Sequence, residues 1–552
     1  MDVILTDRYE ARVNFLLAKY HVPGISISIT NANRTVSKGF GLANVEPPRP
    51  VTTETIFDCS RAGMSLTAAA AATLVADQRV RWDTPVPELL PGFRLHSWDE
   101  PKFADILCHK SGVPGHPHSI MSQTAEHPDT PASVANKACY LETNSDRLDY
   151  YSDLMYTTAS YLIEQISGQS FESYLVSHIL VPLGIESTYL QPSRVQATHQ
   201  AHHLATWHVY EENSHSYKAV ASRDKPECQG AGMIYSTAAE FVKWLRAQLR
   251  LDPALFGPKM YRTLLKGRTY STCLDPRPFM TQPQYTLGWN VRHYRNHRLV
   301  YQEGMSRAMF VPDAQEPFGF VILGNSAGIK YVAEILAMEL VDELLGFPKE
   351  WRGHWEPLED VQVQFERDLA LWTYGQVEEQ ALSSCLDGYR RPSDKSQQRR
   401  STVTPYPLTA YTGRYRHAGY GDIVVTTKLT SATLVNNAAP NASDMETTMI
   451  ERLYIDATDR TVPFTLTLYP LCFCECQVHR GIMSKFLGLK ETDQRSGFIH
   501  VAAETAPRPE CQADAEWGNL LEGEAPIIQE IGLDLCLDLR TPDLVWFRRV
   551  SD

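Results

Sequence analysis

The stretch Ile25-Ser-Ile-Ser-Ile29 alternates apolar and polar residues without interruption and follows directly on Val22-Pro-Gly24. Strict alternation predicts a strand that buries one face, so we expect a half-buried strand here. Asn31-Ala-Asn-Arg34 supplies a turn, and Val36–Leu42 is predicted to be the returning strand. Upstream, apolar residues at helical spacing between Thr6 and Tyr20 predict a helix. A helix followed by an antiparallel hairpin does not fit a βαβ unit.

The next segments continue this pattern as far as about residue 346. A helix is predicted from Arg61 to Asp77, where the run Ala68–Ala72 suits burial between larger elements. Further helices are predicted around Tyr156–Ile166 and Phe171–Ile179, and strands at Leu299–Tyr301, Ala308–Val311 and Phe318–Leu323. Because strands at both ends enclose a helical middle, the fold class is α+β, an antiparallel sheet flanked by helices with a helical insert.

The second part of the chain has a different composition. The polar, basic stretch 390–400 has no periodicity and is predicted to be a linker. From Tyr411 onward, short alternating runs such as Asp422–Thr427 and Thr465–Tyr469 predict an all-β module with a barrel-like form. We therefore expect three segments: a domain over 1–346, a helical and linker segment over 347–405, and an all-β domain over 406–552.

Composition limits the classes of function. The chain has 552 residues, 43% hydrophobic and 21% charged, with a formal net charge of −13. An acidic protein has no electrostatic reason to bind nucleic acid or an anionic membrane. Eleven cysteines without small-scaffold spacing favour a reduced, cytoplasmic protein, and no apolar run is long enough for a membrane span. The expected partner is a small molecule, with neither cofactor nor metal.

Several short motifs occur in an order that resembles one known superfamily. Together they resemble the serine β-lactamases and penicillin-binding proteins, with the fungal transesterases related to lovastatin-type acyltransferases as the nearest group. Leu408-Thr-Ala-Tyr-Thr-Gly-Arg-Tyr415 is similar to the start of the lipocalin-like module that often follows such domains. The motifs include Phe57-Asp-Cys-Ser60, Ser65-Leu-Thr-Ala-Ala-Ala70, Ile106-Leu-Cys-His-Lys-Ser-Gly-Val-Pro114, Tyr151-Ser-Asp153, Gly230-Ala-Gly-Met-Ile-Tyr-Ser-Thr237 and Val321-Ile-Leu-Gly-Asn325.

The resemblance implies three catalytic motifs, and the first one departs from the family pattern. The family needs a serine nucleophile and, three residues later, a lysine base on the same helical face. Anchoring on the flanking motifs places Arg61 at the nucleophile position and Met64 at the lysine position. Arginine stays protonated and a thioether has no exchangeable proton, so the usual acyl-enzyme cannot form through this pair. Ser60 is the nearest hydroxyl, but it has no base beside it on the helix.

The other two motifs survive in part. The resemblance puts Tyr151 at the tyrosine of the second motif and Asp153 at its asparagine. The third motif becomes Gln302-Glu303-Gly304, followed by Met305. We expect these side chains to face one cleft with Arg61, Ser60 and Met64. There Arg61 should be neutralised by the two acids and should favour the phenolate of Tyr151.

The implied activity is hydrolysis or acyl transfer on a small acyl, ester or thioester metabolite, often in fungal secondary metabolism. Three alternatives remain open. The cleft can be inert and bind a metabolite or partner. Tyr151 can act as acid or base while Arg61 binds a carboxylate or enolate, which suits a cyclase, lyase or isomerase. Ser60 can serve as the nucleophile of a generic esterase.

Other signals have simpler explanations. Ser222-Arg-Asp-Lys225 has serine-lysine spacing but lies in a polar stretch, so we interpret it as coincidence. The histidines between His199 and His208 fit no zinc spacing. His109 is expected to be a structural hydrogen bonder, and the thiols of Cys472-Phe-Cys-Glu-Cys476 to be buried small side chains.

Overall fold

A computed structural model gives the fold. It describes residues 1–96, 98, 100–113, 115–141, 143, 151–211, 214–270, 279–356, 408–434, 446–461, 464–471, 477–484, 494–504, 530–533 and 545–550. The predicted linker at 390–400 and the thiols at 472–476 lie outside these residues. The chain divides into two compact units: Met1–Gly115 with Pro128–Leu358, and His116–His127 with Glu359–Asp552.

The first unit contains several helices, six of which follow one another between its fourth and fifth strands. The α-helices among the described residues are α1 (Asp7–Lys19), α2 (Gly63–Ala76), α3 (Val86–Leu89), α4 (Phe103–Leu107), α5 (Pro131–Lys137), α6 (Asp153–Ser167), α7 (Phe171–Leu175), α8 (Pro192–Gln196), α9 (Ala238–Arg250), α10 (Pro258–Leu264) and α11 (Ile329–Leu344). A π-helical turn, Val176–Leu180, extends α7. The helices predicted around residues 6–20, 61–77 and 156–166 are confirmed as α1, α2 and α6. Among these helices and the rest of the described chain, none is both long enough and apolar enough to span a membrane.

The strands of the first unit form one large antiparallel sheet and two small ones. They are β1 (Gly24–Asn31), β2 (Thr35–Asn44), β3 (Arg49–Pro50), β4 (Phe57–Asp58), β5 (Thr188–Leu190), β6 (Trp207–Glu211), β7 (Ser216–Val220), β8 (Ile234–Ser236), β9 (Thr269–Tyr270), β10 (Gln284–Tyr285), β11 (Asn290–Tyr294), β12 (His297–Glu303), β13 (Ser306–Val311) and β14 (Phe318–Gly324). The large sheet has the order β3-β2-β1-β14-β13-β12-β11-β10-β9. The order confirms the predicted sheet with strands from both ends of the domain.

Strand β1 corrects one expectation, because it is buried on both faces. Ile27 pairs with Ile322 of β14, and the serines between the isoleucines, Ser26 and Ser28, are also fully buried. Helix α9 packs against β1 and β14, while α11 packs against β13 and β14. The close approach of Gly319 to Leu245 of α9 and of Gly324 to Ile329 of α11 places these helices on opposite faces. The alternation of serine and isoleucine in β1 therefore reflects small residues on one buried face and large residues on the other, and neither face is exposed.

Helix α2 lies inside the first unit. All residues from Gly63 to Leu74 are buried, including the alanine run. It packs against α6, α7 and α10. The turn before β11 also approaches it closely: Gly288 has φ +80°, and a Cβ there would lie 2.7 Å from the Cβ of Ala68. The small side chains of α2 therefore allow neighbours to reach its first turn, which contains Met64 and begins two residues after Arg61.

The second unit consists of antiparallel strands together with the short segment His116–His127. Neighbouring strands pair in chain order, and the last strand also pairs with the first. The runs predicted at 422–427 and 465–469 lie in β16 and β18. The strands are β15 (Gly413–His417), β16 (Gly421–Leu434), β17 (Glu446–Ala457), β18 (Phe464–Leu471), β19 (Gln477–Ser484), β20 (Gln494–Glu504), β21 (Glu530–Leu533) and β22 (Val545–Arg549).

Candidate active site

The turn between β4 and α2 holds Ser60 in an unusual backbone conformation. Ser60 has φ 51°, in the left-handed region that non-glycine residues rarely adopt. Its N–H donates to Oδ1 of Asp58 at 2.7 Å, and the carbonyl of Cys59 accepts from Oγ of Ser306 at 2.7 Å. These hydrogen bonds fix the turn between strands β4 and β13. The strained conformation is therefore held by a local contact with Asp58 and by a contact of the preceding residue with the distant Ser306.

Arg61 follows this turn and lies over the ring of Tyr151. The guanidinium carbon is 3.8 Å from the ring centroid, a close cation–π contact. Burial disfavours the charged form of Arg61, but the charges of Tyr151, Asp153 and Glu303 outweigh burial and raise its pKa. The predicted grouping of Arg61 with Tyr151 and Asp153 is present in the structure. The guanidinium remains charged at any physiological pH.

Met64 occupies the next turn of the helix and is fully buried. The hydroxyl of Tyr151 donates to its sulfur at 3.1 Å, and the hydroxyl of Tyr285 lies 3.8 Å from the same atom. A thioether is a weak acceptor and takes up no proton. Met64 therefore holds the Tyr151 hydroxyl in place without changing its protonation.

Arg61 favours the phenolate of Tyr151, as expected, but larger opposing effects decide the protonation of this residue. Burial and the neighbouring Asp153 raise the pKa of Tyr151 well above its ordinary value, and the opposing effect of Arg61 is smaller. Tyr151 is therefore a neutral phenol at neutral pH. The predicted effect of Arg61 is present, since its charge lowers the pKa of Tyr151, but burial and Asp153 together outweigh it.

The third motif lies in the turn between β12 and β13. The amide nitrogen of Gln302, nearly fully buried, donates to the Tyr285 hydroxyl at 2.9 Å and to the Gly288 carbonyl at 2.8 Å. Glu303 is exposed, and its carboxylate lies 3.3 Å from the guanidinium of Arg307. We expected Arg61 to be its partner, but its ion pair is with Arg307. Met305 is half-buried in the same turn.

Gly304 keeps this turn close to the start of helix α2. It has φ +147°, and a Cβ there would lie 3.2 Å from both Cδ of Arg61 and Oγ of Ser60. The structure thus brings the residues of the first and third motifs together. Ser60 faces this turn, and in the described part of the chain no lysine forms a hydrogen bond with it.

Sequence analysis missed the aromatic cluster beneath Tyr151. The ring of His109 lies 4.6 Å from Tyr151, 5.3 Å from Tyr156 and 4.3 Å from Tyr285, measured between centroids. The Tyr156 hydroxyl donates to the Leu107 carbonyl at 2.6 Å. Nδ1 of His109 accepts from the N–H of Ser152 at 3.2 Å, in line with its expected structural role. Burial, assisted by the charge of Arg61, lowers the pKa of His109 to about 3.

Lys225 lies nearer the site than its polar surroundings suggested. Burial raises the pKa of Asp58, while the Ser60 N–H and the charge of Lys225 oppose that rise. Lys225 is thus close enough to act on the carboxyl that holds Ser60. The histidines around His203 are distributed differently: His203 lies 3.7 Å from Glu54, whereas His208 is buried and accepts from the N–H of Val45. Among the described residues no three or more metal-binding side chains come together.

Comparison with known proteins identifies the class that this fold and site define. Residues 9–339 match the family model described as Beta-lactamase, so the chain belongs to the β-lactamase family.

Two curated relatives cover most of the chain. Its sequence is 28% identical over 469 residues to the unguisins hydrolase ungD' of Aspergillus campestris, covering 82% of this chain and 80% of that protein. It is also 28% identical over 447 residues to the unguisins hydrolase ungD of Aspergillus violaceofuscus, covering 75% of each. Among solved structures, it resembles the octameric penicillin-binding protein homologue from Pyrococcus abyssi with a TM-score of 0.54 and 18% identity, covering 99% of this chain and 100% of that one.

Proposed function

We propose that this protein is a hydrolase of a small metabolite, with an acyl, ester, thioester or peptide-like bond as its target, in secondary metabolism. Its membership of the β-lactamase family supports the reaction class. The names of the two Aspergillus relatives support the substrate class, since both are described as hydrolases of unguisins. Unguisin is therefore the first compound to test.

We also propose that the serine nucleophile and lysine base of the family are replaced by Arg61 and Met64. The observation that carries this proposal is the contact of the Tyr151 hydroxyl with the Met64 sulfur at 3.1 Å. An amine in that place would accept the tyrosine proton, whereas a thioether cannot. Tyr151 therefore keeps its proton and serves as the general acid.

In the proposed mechanism water is the nucleophile, and each proton that moves has a donor and an acceptor. The water oxygen forms a bond to the acyl carbon, and its proton passes to the carboxylate of Asp153. The bond to the leaving group breaks as that group takes the Tyr151 proton, and Asp153 returns a proton to Tyr151. The electrostatic coupling of Asp153 with Tyr151 supports this exchange. Arg61 stabilises the negative charge that develops on the acyl oxygen.

A second candidate function is binding without turnover. The contact that favours it is the stacking of Arg61 on Tyr151 at 3.8 Å, because a large cation then fills the proposed position of the nucleophile. The same acid and cation could also serve cyclisation, elimination or isomerisation. Product mass separates these reactions, since hydrolysis adds one water and the others do not.

The decisive experiment follows unguisin by mass spectrometry after incubation with the protein. We expect a product heavier by one water, and a loss of at least ~100-fold in rate for Tyr151→Phe, which removes the proton donor. Thr281→Ser, in an exposed loop of the same unit, is the matched control. No turnover together with saturable binding would support the second candidate, and a product of unchanged mass would support an isomerase or cyclase.

Intact-mass analysis tests the replaced nucleophile. We expect no covalent adduct when the native protein is incubated with a fluorophosphonate or an activated acyl thioester. The double variant Arg61→Ser with Met64→Lys restores a serine and a lysine at the family spacing, so we expect an adduct at residue 61. An adduct at Ser60 in the native chain would contradict the proposal and favour a generic esterase.

We further propose a cytoplasmic location and a three-part organisation over 1–346, 347–405 and 406–552. Unpaired cysteines such as Cys59 and Cys228 support a reduced environment. The pairing of β22 with β15 supports a closed, lipocalin-like barrel in the last part.

A further inference from the structure

The guanidinium of Arg61 has hydrogen-bond donors without acceptors. It presents five N–H donors, yet no hydrogen bond or ion pair joins Arg61 to any other residue that the structure describes. Its close contact is with the face of the Tyr151 ring, which offers no lone pair. Arg61 is only partly buried and its nitrogens are not among the buried polar atoms that lack a partner, so water can hydrate these donors and an acceptor group of a ligand can replace that water.

The acids near Arg61 do not supply that acceptor. The carboxylate of Glu303 is exposed and contacts Arg307 at 3.3 Å. Asp153 contributes to the raised pKa of Arg61 through its charge and makes no hydrogen bond to the guanidinium. The amide nitrogen of Gln302 is committed to Tyr285 and Gly288. The surrounding residues thus maintain the charge of Arg61 and leave its donors available.

A buried donor of another residue, His109, lies against the same tyrosine. Nδ1 of His109 accepts a hydrogen bond, so in the neutral ring the proton is on Nε2. This Nε2 is buried and has no hydrogen-bond partner among the described residues. Around Tyr151 the structure therefore places the buried N–H of His109 and the solvent-accessible donors of Arg61, and none of them has an acceptor among the described residues.

We propose that Arg61 is a receptor for a free carboxylate on the ligand of this cleft. A planar guanidinium matches a carboxylate through two parallel hydrogen bonds, which no neutral amide can reproduce. The proposal rests on the proposed function in one respect: hydrolysis of an acyl bond creates a carboxylate at the site of reaction. The carboxylate can thus be one that the substrate already carries or the one that the reaction produces.

The test measures binding without requiring turnover. Isothermal titration calorimetry compares N-acetyl-alanyl-phenylalanine with its C-terminal amide, two probes that differ in the carboxylate alone. We expect the acid to bind at least about tenfold more tightly than the amide. Arg61→Met should abolish this preference and Arg61→Lys should retain part of it, because lysine keeps the charge and loses the planar pair of donors.

Arg81→Met is the control, since Arg81 is an exposed arginine paired with Asp83 and should leave the preference unchanged. Circular dichroism verifies that each variant is folded. Equal binding of acid and amide, a preference that persists in Arg61→Met, or no binding of the acid would each overturn the proposal. None of these outcomes depends on hydrolysis. The proposed function is tested separately, by the mass of the product formed from unguisin.

A competition experiment distinguishes the two sources of the carboxylate. If the reaction product is the ligand, the purified hydrolysis product of unguisin competes with the acid probe and intact unguisin does not. If the substrate's own carboxylate is the ligand, both compete. Competition by neither compound would show that Arg61 does not bind this pair of molecules.

Discussion

His109 is a base that the fold keeps unprotonated. Burial lowers its pKa to about 3, far below the ordinary value of 6.5, and its ring is enclosed by Tyr151, Tyr156 and Tyr285. A charged imidazole there would also lie near the guanidinium of Arg61. The neutral form is therefore part of the folded structure, which makes the stability of the protein depend on pH.

The direction of that dependence follows from the two pKa values. As the pH falls below 6.5, His109 binds a proton in the unfolded chain, whereas in the folded chain it does so near pH 3. The unfolded state is thus favoured by acid in this range. We expect this residue to lower the free energy of unfolding by about 2 kcal/mol between pH 7 and pH 5.

The measurement is urea unfolding at both pH values for the native chain, His109→Gln and His293→Gln. His109→Gln keeps an acceptor for the Ser152 N–H and should remove about 2 kcal/mol of the pH effect. His293 is exposed, so its variant should behave as the native chain does. An identical pH effect in all three proteins would show that His109 is not the group responsible.

For single residues, the sequence predicted which side chains lie together better than it predicted their protonation and their partners. The motifs were enough to bring Arg61, Met64 and Tyr151 to one place. They could not predict that Tyr151 is a neutral phenol or that Glu303 contacts Arg307, since both depend on burial and on neighbours from other strands. Tyr285 was missed because a lone tyrosine in a short strand carries no motif.

Helix α2 and the turn at Gly288 form the best-defined contact between elements near the site. A Cβ at Gly288 would lie 2.7 Å from Ala68 and 3.0 Å from the Met64 carbonyl, and the backbone has φ +80°. Both sterics and conformation therefore require glycine at this position.

Two matched substitutions separate these causes. Gly92 has φ +89° and open space around its Cβ position, so Gly92→Ala should cost about 1 kcal/mol from backbone strain alone. Gly288→Ala adds a clash with the backbone of α2 and should cost about 3 kcal/mol or more, measured by urea unfolding. Similar costs for the two variants would mean that α2 moves aside freely.

Element types were predictable where the hydrophobic period was long, as in α1, α2 and the hairpin of β1 and β2. The burial of β1 was not, because alternation of serine and isoleucine has the same period whether the serines face water or a helix. Here Ser26 and Ser28 are covered by the layer that contains α9. Small residues at a helix–sheet contact allow close packing, and the sequence period alone does not distinguish this from exposure.

In the second unit, Arg460 joins the segment His116–His127 to the strands. Its guanidinium donates to the carbonyls of His118 and Asp422 at 2.7 and 2.9 Å and also to that of Tyr420, and Arg460 is 2% exposed. Three backbone carbonyls from two chain segments therefore accept hydrogen bonds from this one side chain. A charged donor shared in this way is more stabilising than an exposed ion pair.

Arg460→Met should destabilise the second unit by about 2 kcal/mol or more and expose residues 116–127 to proteases. Limited proteolysis with mass mapping of the cleavage sites is the measurement. Arg414→Met, which removes a half-exposed partner of Asp422, should leave the cleavage pattern unchanged. Equal protection of 116–127 in both variants would contradict the anchoring role of Arg460.

The sequence predicted a change of architecture near residue 406 but not that an earlier segment joins the later strands. Residues 116–127 show no strand pattern, and their packing depends on partners such as Arg460 and Tyr420 hundreds of residues away. No local period or motif carries such information.

The path of the chain also limits how this gene can be rearranged. Twelve residues, His116–His127, leave the first unit to fold with the second and return at Pro128. A truncated gene that stops after α11 would encode those residues without the strands that bury them. Loss or exchange of the C-terminal strands during evolution would then also require changes in residues 116–127. We therefore expect the two units to be inherited together.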